Sequence, residues 1–277
     1  MPSEIRIVAA PPGATVQDAG RTGWLHAGVP PSGPLDAAAH AAANLAVGND
    51  ARASALEIPL GALRIEALHP VRVSIDGEAA VALASGEELV VSACSRAVRY
   101  LAIAGGFAVA PVLGSRSTLL SAAWGGFSGR GVRAGDVLPI GVVRVDASPA
   151  PAAPSVVDPP EPAVLRIQLG PHASRLPAQL LTGLTGSTWL VSPRSDRVGV
   201  RLEGATLERS GGDRGPPAPM VRGAVQITTD GTPIVLGPDH PVTGGYPVLA
   251  VLGRSSQAML ARLRPKRALR FVLDEAY

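Results

Sequence analysis

Short aliphatic runs broken by glycine, proline, aspartate or serine recur along the chain, and their length and β-branched content predict strands. In the first half they are 63–68 (LRIEAL), 71–76 (VRVSID), 87–93 (EELVVSA) and 98–104 (VRYLAIA), with a closing strand in VRAGDVLPI. In the second they are 164–169 (VLRIQL), 187–192 (STWLVS), 223–229 (GAVQITT), 232–237 (TPIVLG), 246–252 (YPVLAVL) and 268–273 (ALRFVL). Three stretches predict helices: 35–47, rich in alanine with Gly48 placed to cap its end, then 174–184 and 255–263. Many short strands at regular spacing with glycine-rich turns build sandwiches or barrels, so the pattern predicts a mainly β protein.

Residues 146–163 (DASPAPAAPSVVDPPEPA) break that pattern with the composition of a semi-rigid extended linker. They divide the chain into a first β body, 1–145, and a second, 164–277. Of the 277 residues 46% are hydrophobic but only 3% aromatic, so the core must be built from Val, Leu, Ile and Ala. The single cysteine, Cys94, excludes an internal disulfide and a cysteine-based zinc site, and it reads as a buried, inert thiol. Net charge is +3 and Lys266 is the only lysine. The basic cluster Arg262, Arg264, Lys266, Arg267 and Arg270 has no interleaved aromatics for base stacking, so it reads as a solvated face and nucleic acid is not expected as a partner. The acidic, briefly apolar start does not fit a signal peptide, and no run of 18 apolar residues occurs. A cytoplasmic protein without a membrane partner is expected.

Candidate chemistry lies in the loops. The polar passage TVQDAGRTGWLHAGVPPSGPLD, 15–36, is longer than the roughly 12 to 15 residues usual for a structureless loop in a compact domain, which points to function. It supplies Gln17, Asp18, Arg21 and His26; Asp18 and Arg21 read equally as an ion pair pinning the loop, and His26 reads as structural. Ser32 and Gly33 precede the first predicted helix, where Ser32 is expected to cap it and leave N–H groups for an anion. After the strand at 98–104, Gly105 and Gly106 open a long loop in which Gly114, Ser115, Arg116, Ser117 and Thr118 offer donors suited to a carboxylate or phosphate, although ordinary turn chemistry explains the segment equally well. The second half adds Asp196, Arg197 and Arg201, read equally as a salt-bridge network, and a binding-type loop with Asp239, His240, Thr243 and Tyr246. No HxH, HExxH or carboxylate cluster suggests a metal, and no P-loop, Ser-His-Asp order or GxSxG elbow is present.

Taken in order, VQDAGRTGWLHAGVPPSGPLD, AAANLAVGN, ALEIPLGALRIEA, AIAGGF, VLGSRST, GRGVRAGD, SPRSDRVGVRLEG, GAVQITTDGTPIVL and VTGGYP resemble the biotin-dependent carboxyltransferase family, also called allophanate hydrolase subunit 2. The resemblance implies two cyclophilin-like β-barrel subdomains and a companion subunit 1, of the B type, with an A-type subunit beside it. Carried over by motif, it implies that Gln17, Ser32, Gly33, Asp36, Asn44, Glu57, Ser115, Ser117, Arg201, Gln226, Thr243 and Tyr246 bind a small amide or lactam. It implies that Arg21, Arg116 and Arg197 meet charge on the carbonyl oxygen, and that Asp18 or Asp196 takes the nitrogen proton. The first function implied is the C subunit of an ATP-dependent 5-oxoprolinase. The alternatives are a carboxyltransferase component moving the carboxyl of carboxybiotin to urea or a related amide, or a non-catalytic antagonist of a kinase-inhibitor companion. ATP would be held by nonstandard loops shared with the partner. Biotin would arrive on another chain, because Lys266 in RPKRA is no biotinyl-lysine context. Two positions depart from the family pattern: GRSSQAML lacks an acidic residue after the strand at 246–252, and Pro265, Lys266 and Arg267 stand where the family has a Pro-Gly-Asp turn.

Overall fold

A computed structural model describes residues 3–143, 156–208 and 216–274. The chain divides into two compact units, one of residues 1–22 with 32–158, the other of 23–31 with 159–277. The polar passage of the N-terminal region is therefore shared between them. Most of the linker expected at 146–163 lies outside the described residues. Its later part is seen: the Val156 carbonyl accepts from Arg96 Nη1 at 2.6 Å and Asp158 accepts from the Ser95 hydroxyl.

The first unit contains β1 (Glu4–Ala9), β2 (Thr15–Gln17), α1 (Ala37–Ala46), β3 (Ala55–Pro59), β4 (Leu63–Ala67), β5 (Val71–Ile75), β6 (Val81–Leu83), β7 (Glu88–Val91), β8 (Val98–Ile103) and β9 (Val137–Pro139). Its strands form two sheets, ordered β7-β4-β1-β9 and β2-β3-β8-β5-β6. Alternation decides what each face buries. Ile5, Ile7, Leu56, Ile58, Leu63, Ile65, Leu101, Ile103 and Leu138 share one core, while the intervening Ala55, Tyr100 and Ala102 of β3 and β8 pack against Ala39 and Ala43 of α1 and Val47 at its C-terminal end. Alanine on both surfaces lets the helix approach the sheet closely.

The second unit contains β10 (Ala163–Leu169), α2 (Ala178–Gly186), β11 (Trp189–Val191), β12 (Gly199–Glu203), β13 (Ala218–Pro219), β14 (Ala224–Ile227), β15 (Pro233–Leu236), β16 (Thr243–Gly244), β17 (Val248–Leu252), α3 (Arg254–Arg262) and β18 (Ala268–Leu273). Seven strands close a barrel, β10-β17-β14-β15-β12-β11-β18, sealed by parallel pairing of β10 with β18 from Ala163 opposite Leu269 to Ile167 opposite Leu273. Trp189 and Phe271, both at most 1% exposed, anchor a core joined by Leu180 and Leu184 of α2 and Leu260 of α3.

The mainly β class is as expected. Several strands were not: β1, β2, β3 and β6 lay outside the predicted runs, and β12 occupies a segment read only as a loop. Helix 35–47 is shorter, Ala37–Ala46, and the GRSSQAML departure is the start of α3. At the second departure Lys266 takes φ 70°, a left-handed conformation that a glycine adopts without strain. Cys94, expected to be buried, is half-buried.

Candidate functional site

Two of the loops singled out from the sequence, 15–36 and the long one after β8, meet in the first unit, held by hydrogen bonds that reach across about a hundred residues. Asp18, following β2, is their centre. Its Oδ1 accepts from Ser115 Oγ at 2.5 Å, Ser117 Oγ at 2.7 Å and the Gly20 N–H at 2.9 Å, and its Oδ2 accepts from the Arg116 N–H at 2.5 Å. Burial works to raise the carboxyl pKa, but these donors outweigh it and hold the group below its usual value. The donors expected to receive an external carboxylate or phosphate are thus turned on the protein's own anion. A carboxylate so stabilised is a weak base.

Arg21 is 2% exposed. Its Nη1 donates to Ser32 Oγ at 3.1 Å, its Nη2 to the Ser117 carbonyl at 2.5 Å and its Nε to the Val112 carbonyl at 3.4 Å. It ties the 32–36 turn to the 115–118 loop. Arg116 is exposed, with Nε on the Val109 carbonyl at 2.9 Å. Of the three arginines assigned to the carbonyl oxygen, it is the one that is an exposed residue.

Ser32 does not cap α1. The cap is Asp36, whose Oδ1 accepts from the Ala38 and Ala39 N–H groups, both at 3.1 Å. Capping requires a side-chain oxygen directly ahead of the first turn, and Ser32 lies a turn too early, at φ 54°. The helix N-terminus is thereby occupied by an internal carboxylate. Gly33 takes φ 86°, and a side chain there would press on the Ala19 carbonyl oxygen at 3.2 Å.

Behind the turn lies a buried polar cluster. Gln17 Nε2 donates to Thr15 Oγ1 at 3.0 Å and the Thr118 carbonyl at 3.1 Å, while its buried Oε1 has no hydrogen-bond partner among the described residues. His40 Nε2 contacts the Gln17 carbonyl at 3.1 Å, and burial lowers the imidazole pKa. Asn44 Nδ2 donates to the Ala53 carbonyl at 2.9 Å. Glu57, 1% exposed, turns Oε2 toward the Tyr100 hydroxyl and the Leu35 N–H, both at 2.7 Å. His40 and Tyr100 were not singled out from the sequence; a tyrosine amid an aliphatic strand was the available signal for the second, and nothing distinguished His40 within its alanine run.

In the second unit Arg197 makes a two-pronged ion pair with Asp239, Nε to Oδ2 at 2.8 Å and Nη2 to Oδ1 at 3.1 Å, with side chains 10% and 4% exposed. Asp196 Oδ1 accepts from the Val198 and Gly199 N–H groups at 2.9 and 3.1 Å, shaping the turn into β12. Arg201 is exposed on that strand. Gln226, at a bulge between β14 and β17, donates from Nε2 to the Tyr246 carbonyl at 2.8 Å. Thr243 is exposed on β16, opposite Pro219. His240 is 2% exposed, its pKa lowered by burial. His26 is exposed and stacks on Trp24, ring centroids 6.3 Å apart.

No group of His, Cys, Asp or Glu able to hold a metal occurs among the described residues, and no described helix is long and apolar enough to cross a membrane. The glycine turn after β8 is not an open phosphate cradle: the Gly105 N–H donates to Asn49 Oδ1 at 2.8 Å and the Gly106 N–H to the Ile103 carbonyl at 2.8 Å.

A family model described as carboxyltransferase domain, subdomain A and B, matches residues 27–273. The chain is 34% identical over 290 residues to the 5-oxoprolinase C subunit of Escherichia coli (strain K12), spanning 98% of this chain and 93% of that protein. It is 31% identical over 302 residues to the urea amidolyase of Lachancea kluyveri, spanning 94% of this chain but 16% of that protein. Its fold is similar to part of the K. lactis urea amidolyase crystal structure, with a TM-score of 0.90 at 28% identity over 98% of this chain and 19% of that one. It therefore spans less than a fifth of either urea amidolyase.

Proposed function

The chain belongs to the carboxyltransferase domain family, and from that membership we propose that it serves as the C subunit of an ATP-dependent 5-oxoprolinase, which opens the lactam of 5-oxoproline to glutamate together with companion subunits. The observation that carries this reading is agreement in length: the match covers 98% of this chain and 93% of the bacterial C subunit. The urea amidolyase relatives instead contain this fold as a small part of a much longer protein.

Opening a lactam moves charge onto its carbonyl oxygen, and donors already aimed there stabilise that state. In this reading Arg116 supplies the donor. The other candidates are engaged otherwise: Arg21 and Asp18 hold the loop that carries it, and Arg197, in the second unit, is paired with Asp239. The Gly105, Gly106 and Arg116 N–H groups are spent inside the protein, and the lone lysine, Lys266, pairs with Glu203. These residues do not fit a phosphate cradle, so no nucleotide step is assigned to them.

The test is to purify the chain with its companion subunits and measure ATP-dependent glutamate formation from 5-oxoproline. Glutamate formed only when all subunits and ATP are present supports the reading. Absence of glutamate, with carboxyl transfer from carboxybiotin to urea by the same preparation, replaces it with the second reading, which the TM-score of 0.90 to a urea amidolyase favours. The biotin in that case comes on another chain.

A further inference from the structure

We propose that Glu57 and Tyr100 are a positioning pair, holding the 32–36 turn and through it Arg21 and the 115–118 loop. This inference rests on the reading that those loops serve the reaction. Glu57 matches a motif position from which a substrate contact was expected, but its surroundings assign it to the protein's own backbone.

Glu57 and Tyr100 are paired residues of β3 and β8, 1% and 0% exposed. The Tyr100 hydroxyl donates to Glu57 Oε2 at 2.7 Å and accepts from the Asp36 N–H at 2.8 Å. The same Oε2 accepts from the Leu35 N–H at 2.7 Å. One carboxylate and one phenol thus grip two successive backbone N–H groups just ahead of α1. The turn they grip requires holding, because Ser32 sits at φ 54°, a conformation that strains a residue bearing a side chain. Ser32 Oγ in turn accepts from Arg21 Nη1, whose Nη2 donates to the carbonyl of Ser117, the residue beside exposed Arg116. A continuous path of hydrogen bonds and short backbone runs therefore connects the buried pair to the loop surface. Burial, followed by the charges of Glu57 and Asp36, pushes the Tyr100 pKa well up, so the phenol remains a proton donor.

The experiment compares Tyr100→Phe, Glu57→Gln and Glu57→Ala in the full chain, with thermal melting to confirm folding. Amide exchange is read in the chain itself, and lactam cleavage in the assembled complex. Tyr100→Phe removes the acceptor of the Asp36 N–H and is expected to speed its exchange about tenfold while the interior of α1 is unaffected. In the complex the same variant is expected to lower kcat about tenfold and leave KM within about twofold, because the effect is on geometry in the transition state. Glu57→Gln keeps an acceptor oxygen in place and is expected to retain activity within about threefold, whereas Glu57→Ala loses at least as much as Tyr100→Phe. Unchanged Asp36 exchange in a folded Tyr100→Phe protein overturns the grip. Glu57→Gln as inactive as Glu57→Ala overturns positioning, because the charge itself then acts on the substrate. Exchange does not depend on the reaction assigned, so a wild-type complex that fails to cleave the lactam leaves the grip to be decided by the exchange result.

Discussion

Removing the charge of Asp18 tests the loop at its centre. Asp18→Asn keeps the size but turns an amide NH2 toward groups that donate to it now, at an expected cost of about 2 kcal/mol in urea unfolding. The pH dependence follows from the lowered pKa. The folded group titrates below the unfolded value of about 3.9, so its contribution is complete above that value and is lost as pH falls through the folded pKa. Wild type should lose this increment on acidification and Asp18→Asn should not, as read by unfolding midpoints across the acid range. Arg116 is predicted to behave oppositely. Arg116→Ala, at an exposed position, should change stability by no more than about 0.5 kcal/mol yet lower kcat for lactam cleavage about a hundredfold; wild-type kinetics would remove its assigned role. At this scale the sequence displays which polar residues are present but not what they face. Ser115 and Asp18 are 97 positions apart, and no local spacing reveals whether Ser115 donates to a ligand or to that carboxylate.

The long loop after β8 owes its form to the close approach of its glycine backbone to neighbouring residues. A side chain at Gly126, φ 52°, would place its Cβ 1.8 Å from Thr118 Oγ1. Gly126→Ala is therefore expected to destabilise the protein by more than about 2 kcal/mol and to displace the 115–118 loop, seen as a lower melting temperature and faster exchange at the Thr118 N–H, which donates to the Val16 carbonyl. Most of the longer strands were legible because aliphatic runs between turn residues are a local signal, although β1 and β3, of six and five residues, lay outside the predicted runs. Strands β2 and β6, three residues each, are too short to carry one, and β12 does alternate two apolar residues with Gly, Arg and Glu, a strand signal masked by the Ser, Pro, Asp and Arg that precede it. The helix start was misplaced for a related reason: Ser32, Gly33 and Asp36 all suit a cap, and only the path of the chain selects Asp36.

At the scale of the molecule, the closed barrel gives the second unit its own core. Trp189 is fully buried there, its Nε1–H donating to the Leu184 carbonyl at 2.9 Å, whereas Trp24 and Trp124 are 37% and 42% exposed. Phe271→Ala should cost about 3 to 5 kcal/mol, reported by an earlier red shift of the buried tryptophan's fluorescence on urea unfolding; an unshifted transition would mean that Phe271 does not support this core. What the sequence by itself determined was whatever repeats locally: a mainly β class, an aliphatic core, one alanine helix, and loops bearing the polar residues. The tertiary structure alone decided which sheets close, that Asp18 and Asp36 satisfy the amides expected to await an anion, that Arg197 meets Asp239, and that Glu57 and Tyr100 face the backbone. The reason is that strand register and loop closure choose partners far apart in the chain, and hydrogen bonds depend on that choice rather than on residue type.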